Sequence, residues 1–200
     1  MRYSLLLFIF LFACGHKQAF VSVQKPVIIT KAQWGGKPAT GIKPEQTITK
    51  ITIHHGGVFV PQEKDPKAYM QELQRFSTED KHWIDIPYHF CIDLQGRIYQ
   101  ARDLKYAGDT NTEYNPDGHA LICVIGNYEV QKIAAKQLDA LVQLTAWLAQ
   151  TYHVSTDSIA SHRDYSAQTV CPGKDLYKYV KDGTIKKRVS ALLSKKPSTN

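Results

Sequence analysis

Apolar residues recur along this chain with two periods. The stretch ITKITIHHGG sets Ile51 and Ile53 against Thr52 and His54, an alternation of two closed by Gly56-Gly57, and it predicts a strand running into a loop. On that alternation His55 shares the core side with the isoleucines, and His54 points the other way. Tyr69, Met70, Leu73 and Phe76 recur at helical spacing behind Pro66 and predict a helix over 66–80, with proline in its first turn. YHFCIDL and GRIYQAR read as the two strands of a hairpin joined near Gln95-Gly96. HALICVIGNY is apolar nearly throughout, the mark of a central strand buried on both faces. Leu138, Leu141, Leu144 and Leu148 then draw a helical stripe over 134–152, and a last helix is expected to open at Lys174 or Asp175. Strands interleaved with helices predict an α/β fold: a single domain built on a central mixed β-sheet flanked by helices.

The two ends read differently. MRYSLLLFIFLFACG combines Arg2, the apolar run Leu5 to Phe12 and the small Ala13, which together make residues 1–13 an export signal, too short to remain as a membrane-spanning helix. Leu11-Phe12-Ala13 followed by Cys14 resembles a bacterial lipobox. The expectation is therefore a lipoprotein on the periplasmic face of the envelope, at the outer membrane, held by acyl burial at Cys14 rather than by a protein segment. Residues 14–27 read as a tether, 28–185 as the folded domain, and 186–200 as a basic, solvated C-terminal tail.

Composition narrows the partners. A chain of 200 residues that is 43% hydrophobic can bury one proper core, and a monomer is expected. The net charge of +7 gathers much of its excess in Lys186 to Lys196, so it marks no groove. Aromatic clusters interleaved with arginine are also missing, and nucleic acid is excluded as a partner. For an exported basic protein that leaves anionic lipid or an anionic wall polymer.

The cysteines carry the candidate chemistry. With Cys14 acylated, three thiols remain, and an odd number leaves at least one unpaired. Cys91 and Cys123 fall in strand-like runs, where they could pair or stay as buried thiols. Cys171 instead closes the polar loop SHRDYSAQTVCPGKDLY, nine positions after His162. Hydrolytic zinc sites use three protein ligands and keep a fourth position open. His54 at a strand end, His162 opening the loop and Cys171 closing it would supply that number and mixture of donors. His16, His82, His89, His119 and His153 read as surface or structural residues. From the residues alone, a metal triad and an ordinary structural thiol both stay open.

Several motifs appear in a fixed order: TKAQWGG, ITIHHGG, IPYHFCIDLQGRIYQARD, Ile125-Gly126-Asn127, Gln137-Leu138 at the start of the leucine helix, and SHRDYSAQTVCPGKDLY. Together they resemble the type 2 N-acetylmuramoyl-L-alanine amidases, whose fold is shared with animal peptidoglycan recognition proteins and a phage amidase called a lysozyme. The resemblance covers about residues 28 to 180. It implies a zinc amidase domain that cuts the amide between N-acetylmuramic acid and the L-alanine of the stem peptide, in peptidoglycan or in muropeptide fragments. It further implies Zn2+ on His54, His162 and Cys171, a phenol at Tyr88 that polarises the scissile carbonyl, and a hydroxyl at Thr169 that donates to the oxyanion.

Three departures accompany it. The loop between His162 and Cys171 is one residue longer than in the nearest recognition-protein pattern. YAGDTNTEYN offers Asp109 and Thr110 in place of a histidine that many relatives carry. Gln100 stands where many show glutamate, so no general base is assigned. The alternative function is a peptidoglycan-binding or sensing protein that keeps the cleft without catalysis; such members typically lose a ligand, most often the cysteine.

Overall fold

The computed structural model describes residues 22–195, so the stretch read as an export signal and Cys14 lie outside it. Its framework is a six-stranded sheet made of β1 (Ile28–Ile29), β2 (Lys50–His55), β3 (Phe90–Ile92), β4 (Ile98–Gln100), β5 (His119–Val124) and β6 (Ile159–Ser161), in the order β1-β4-β3-β5-β2-β6. Only β3 and β4 pair antiparallel; the other neighbours run parallel, giving the mixed sheet the sequence predicts.

β2 lies between β5 and β6 with both of its faces covered; every residue from Ile51 to His55 is buried and the alternation sorts side chains between two packed faces. On one face Ile51 and Ile53 join Ala120, Ile122 and Phe90 against α2 (Ala135–Thr151), through Leu141, Val142, Leu144 and Leu148. On the other face His54 is in register with Cys123, and Cys123 with Cys91. There Cys91, Cys123 and Tyr99 pack with Met70 of α1 (Pro66–Arg75) and with Trp34. Cys91 and Cys123 are buried free thiols facing each other across β3 and β5.

Local chemistry sets the boundaries. Asp65 caps α1 by accepting from the amides of Lys67 and Ala68, and Pro66 fills the first helical position. The helix continues as a π turn over Phe76–Asp80, so the helical stretch matches the predicted 66–80. Phe76 departs from the expected core stripe: it is 44% exposed and borders the cleft described below. In the hairpin, Asp93 accepts from the amides of Gln95 and Arg97 and from the Tyr99 hydroxyl. Gly96 holds a positive φ, and any Cβ there would meet the Lys136 carbonyl oxygen at 2.6 Å.

Two expectations at the ends are corrected. The segment read as a basic tail from 186 forms α4 (Thr184–Leu193), which follows α3 (Lys174–Lys181), so the helix at Lys174 is not the last. Ile185 and Val189 are buried against the α2 side of the core, and the lysines occupy the outer face. The tether is likewise shorter than 14–27. Val23 is buried in the same core, and its amide donates to Gln150 Oε1 at 2.7 Å.

Because α4 belongs to the core, Ile185→Ala should lower unfolding stability by about 2–5 kcal/mol, as for a buried large-to-small change. Urea denaturation followed by circular dichroism checks this; an unchanged midpoint would return the segment to a loose tail.

Candidate functional site

Parallel strands end together, and the loops leaving β2 and β6 meet at one edge of the sheet. His54 is the penultimate residue of β2, and His162 follows the last residue of β6. The third residue comes from a loop that folds back on the second: the Arg163 amide donates to the Cys171 carbonyl at 2.9 Å. Asp164 braces the same loop by accepting from the Ser161 amide and hydroxyl, both at 2.7 Å, and from the Tyr177 hydroxyl at 3.0 Å. Gly173 turns the chain into α3 with a positive φ, against the backbone of Tyr128, where a Cβ would have no room.

His54, His162 and Cys171 are buried, and one ligating atom from each lies within 4.8 Å of the others. They sit in a cavity of about 400 Å³ whose walls include Tyr88, Thr169, Asp109, Trp83 and Phe76. Among the described residues no other group of histidines, cysteines or carboxylates converges in this way. A larger groove of about 480 Å³, between Gly35 and the outer side of α1, has no comparable cluster.

The donor set suits zinc. His54 Nδ1 and Cys171 Sγ are 3.7 Å apart, near the separation of about 3.5 Å that zinc–nitrogen and zinc–sulfur bonds subtend at a tetrahedral angle. Burial, reinforced by the neighbouring His162, holds the His54 imidazole well below its ordinary pKa, and burial also lowers His162. Both rings are therefore neutral at neutral pH, with a lone pair to give. Burial pushes the Cys171 thiol up to about 12, against the opposing pull of the His55 amide, which donates to Sγ at 3.3 Å. Such a thiol is unreactive until a cation compensates its charge.

The remaining predicted residues fall around this cluster. The Tyr88 ring is 5.1 Å from that of His54, and burial raises its phenol well above the ordinary range, so it stays protonated and able to donate. Thr169 lines the cavity despite the longer loop, and its hydroxyl oxygen accepts from the Cys171 amide at 3.1 Å. His55 also lines the cavity but stands apart from the convergent group, its Nδ1 accepting from the Tyr128 amide at 3.2 Å. Asp109 is neutralised by Arg102 and Lys43. Gln100 lies outside the cavity, accepting from the Lys31 amide at 3.3 Å.

Sequence reasoning missed the far side of the cluster. Tyr114, buried, brings its hydroxyl to 3.3 Å from His54 Nε2, and its ring lies 5.0 Å from that of His162. Thr112 Oγ1 is 2.7 Å from His162 Nε2. Both belong to DTNTEYN, a polar stretch without periodicity that gives no signal of this placement.

Comparison with known proteins bears on the same region. A family model described as N-acetylmuramoyl-L-alanine amidase matches residues 44–174. Peptidoglycan-recognition protein SD of Drosophila simulans is 32% identical over 162 residues, which cover 78% of this chain and 86% of that one. The ectodomain complex of peptidoglycan recognition proteins LCa and LCx bound to tracheal cytotoxin matches at 29% identity and a TM-score of 0.69, over 78% of this chain and 95% of that one. The amidase LysC of Clostridium intestinale shares the fold at a TM-score of 0.65 and 22% identity, over 80% of this chain and 98% of that one.

The buried histidines make stability depend on pH. Burial lowers His55, His89 and His119 from 6.5 to about 4. Between those values the unfolded chain binds more protons than the folded one. Stability present above pH 6.5 is therefore lost as pH falls toward 4, with His89 alone contributing roughly 3 kcal/mol. The urea midpoint of metal-free protein should drop between pH 7 and pH 4.5; a flat profile would contradict neutral burial.

Proposed function

Because this chain belongs to the N-acetylmuramoyl-L-alanine amidase family, we propose that it is a zinc-dependent amidase acting on the bond between N-acetylmuramic acid and L-alanine of peptidoglycan or its muropeptides. The observation that carries this reading is the convergence of His54, His162 and Cys171 within 4.8 Å at the floor of the cleft. Zinc held by these three residues would supply a Lewis acid that activates water and polarises an amide carbonyl.

The chain's own residues do the rest. The Tyr88 phenol, kept protonated by burial beside His54, donates to the carbonyl oxygen as charge builds on it. The Thr169 hydroxyl oxygen accepts a hydrogen bond from the Cys171 amide, which holds the loop in place and leaves the hydroxyl's own hydrogen free to donate to the same carbonyl oxygen. Leu73, Phe76 and Trp83 form an apolar wall of the cleft, against which a stem peptide would lie. A recognition-only role draws on the names of the relatives; the presence of Cys171 favours catalysis over it.

Digestion of purified peptidoglycan by protein lacking residues 1–14, read by mass spectrometry, tests the reaction. Free stem peptides beginning at L-alanine should appear, vanish with a chelator and return with zinc. Cys171→Ala should lose both zinc and turnover. Thr169→Ala should keep zinc and slow turnover by about 10²–10³-fold, the usual loss for one oxyanion donor. Wall binding without release of any peptide would favour the recognition-only role.

The reading extends to an exported lipoprotein acylated at Cys14. Radiolabelled palmitate should mark the full chain in a bacterial host, and Cys14→Ser should abolish the label; a labelled Cys14→Ser chain would refute the anchor.

A further inference from the structure

An imidazole gives a metal only one of its two nitrogens, and the partner of the other nitrogen decides which. At His162, Nε2 lies 2.7 Å from Thr112 Oγ1 and 3.3 Å from Thr110 Oγ1. At His54, Nε2 lies 3.3 Å from the Tyr114 hydroxyl, while Nδ1 faces Cys171 Sγ. All three outer partners come from one short loop, Asp109 to Tyr114.

That loop is pinned at both ends. Asp109 accepts from Arg102 and Lys43, and Glu113 accepts from the Ser166 hydroxyl at 2.7 Å, which ties it to the His162–Cys171 loop. Its hydroxyls are linked to one another as well. Thr110 Oγ1 accepts from the Thr112 amide at 3.2 Å, and the two threonine hydroxyls are 2.9 Å apart. With the Thr110 hydroxyl donating to Thr112 Oγ1, Thr112 presents lone pairs to His162.

We propose that Thr112 is a positioning residue that holds His162 with its proton on Nε2, leaving Nδ1 as the metal-facing nitrogen, and that Tyr114 does the same for His54. The proposal rests on the metal-centre reading above. It gives the loop that lacks the family's usual histidine a task of its own: fixing tautomer and ring direction, so that the pocket is set before metal arrives. Removing such an outer partner typically weakens metal binding by about 10–100-fold.

The test uses protein lacking residues 1–14 and two readouts besides turnover. Long-range proton–nitrogen correlation spectra of the metal-free parent at pH 7.5 should show His162 protonated at Nε2, with zinc shifting Nδ1. Competition with a chromogenic chelator should show Thr112→Val losing zinc affinity about 10–100-fold, Thr112→Ser restoring it, and Tyr114→Phe losing affinity with His162 unchanged.

Parental affinity in Thr112→Val, or a His162 protonated at Nδ1, would overturn the proposal. If Thr112→Val does not fold, the parental spectrum decides alone. A parent that takes up no zinc overturns the metal centre and this role together, whereas a parent that binds zinc and cleaves, with Thr112→Val indistinguishable from it, overturns the positioning role only.

Discussion

Everything at the site depends on the alternation of β2 between two buried faces. With α2 over one face and the His119, Tyr114 and Tyr165 side chains over the other, this strand has no solvent side to which a polar residue can escape. Ile51 and Ile53 must face α2, and His54 must then face the opposite layer. A slip of one residue would put His54 into the leucine core and an isoleucine beside Cys171. Burying so many apolar side chains makes that register far more stable than its alternatives, and the same energy fixes the position of a ligating nitrogen.

The opposite layer bears the polar consequences. Thr52 and His119 satisfy each other beneath the cluster at 2.7 Å, while Tyr114 and Tyr165 stack nearby with ring centroids 5.7 Å apart. Buried, partnered surroundings of this kind keep the imidazoles uncharged. They also make the loops rigid: one backbone bond between Arg163 and Cys171 joins two candidate ligands that lie nine residues apart.

How much of this could be read in advance depended on periodicity. β2, the hairpin, β5 and α2 each repeat an apolar pattern long enough to identify, and strand parity sets His54 and His55 on opposite faces, of which the His54 face carries the convergent group. α4 is hidden in the sequence because its lysines and arginine dominate the composition, although Ile185, Val189 and Leu192 recur at helical spacing beneath them. Spacing could not join His162 to Cys171 or either to His54; the ordered motifs of the family did that. Thr112 and Tyr114 stayed invisible because their partners lie 50 and 60 residues away in sequence, inside loops with no repeating pattern. Long-range hydrogen bonds between irregular segments leave almost no trace in a single sequence.

The stretch just ahead of β1 has a practical side. Ser22 and Val23 are fastened to Gln150 at the end of α2, on the layer behind the sheet, whereas the histidine–cysteine cluster lies on the front. A bead, resin or electrode coupled through Ser22 therefore meets the protein from the rear. Immobilised in that way, the molecule still presents an open mouth to insoluble material brought to it, and the loops that build the mouth carry none of the load.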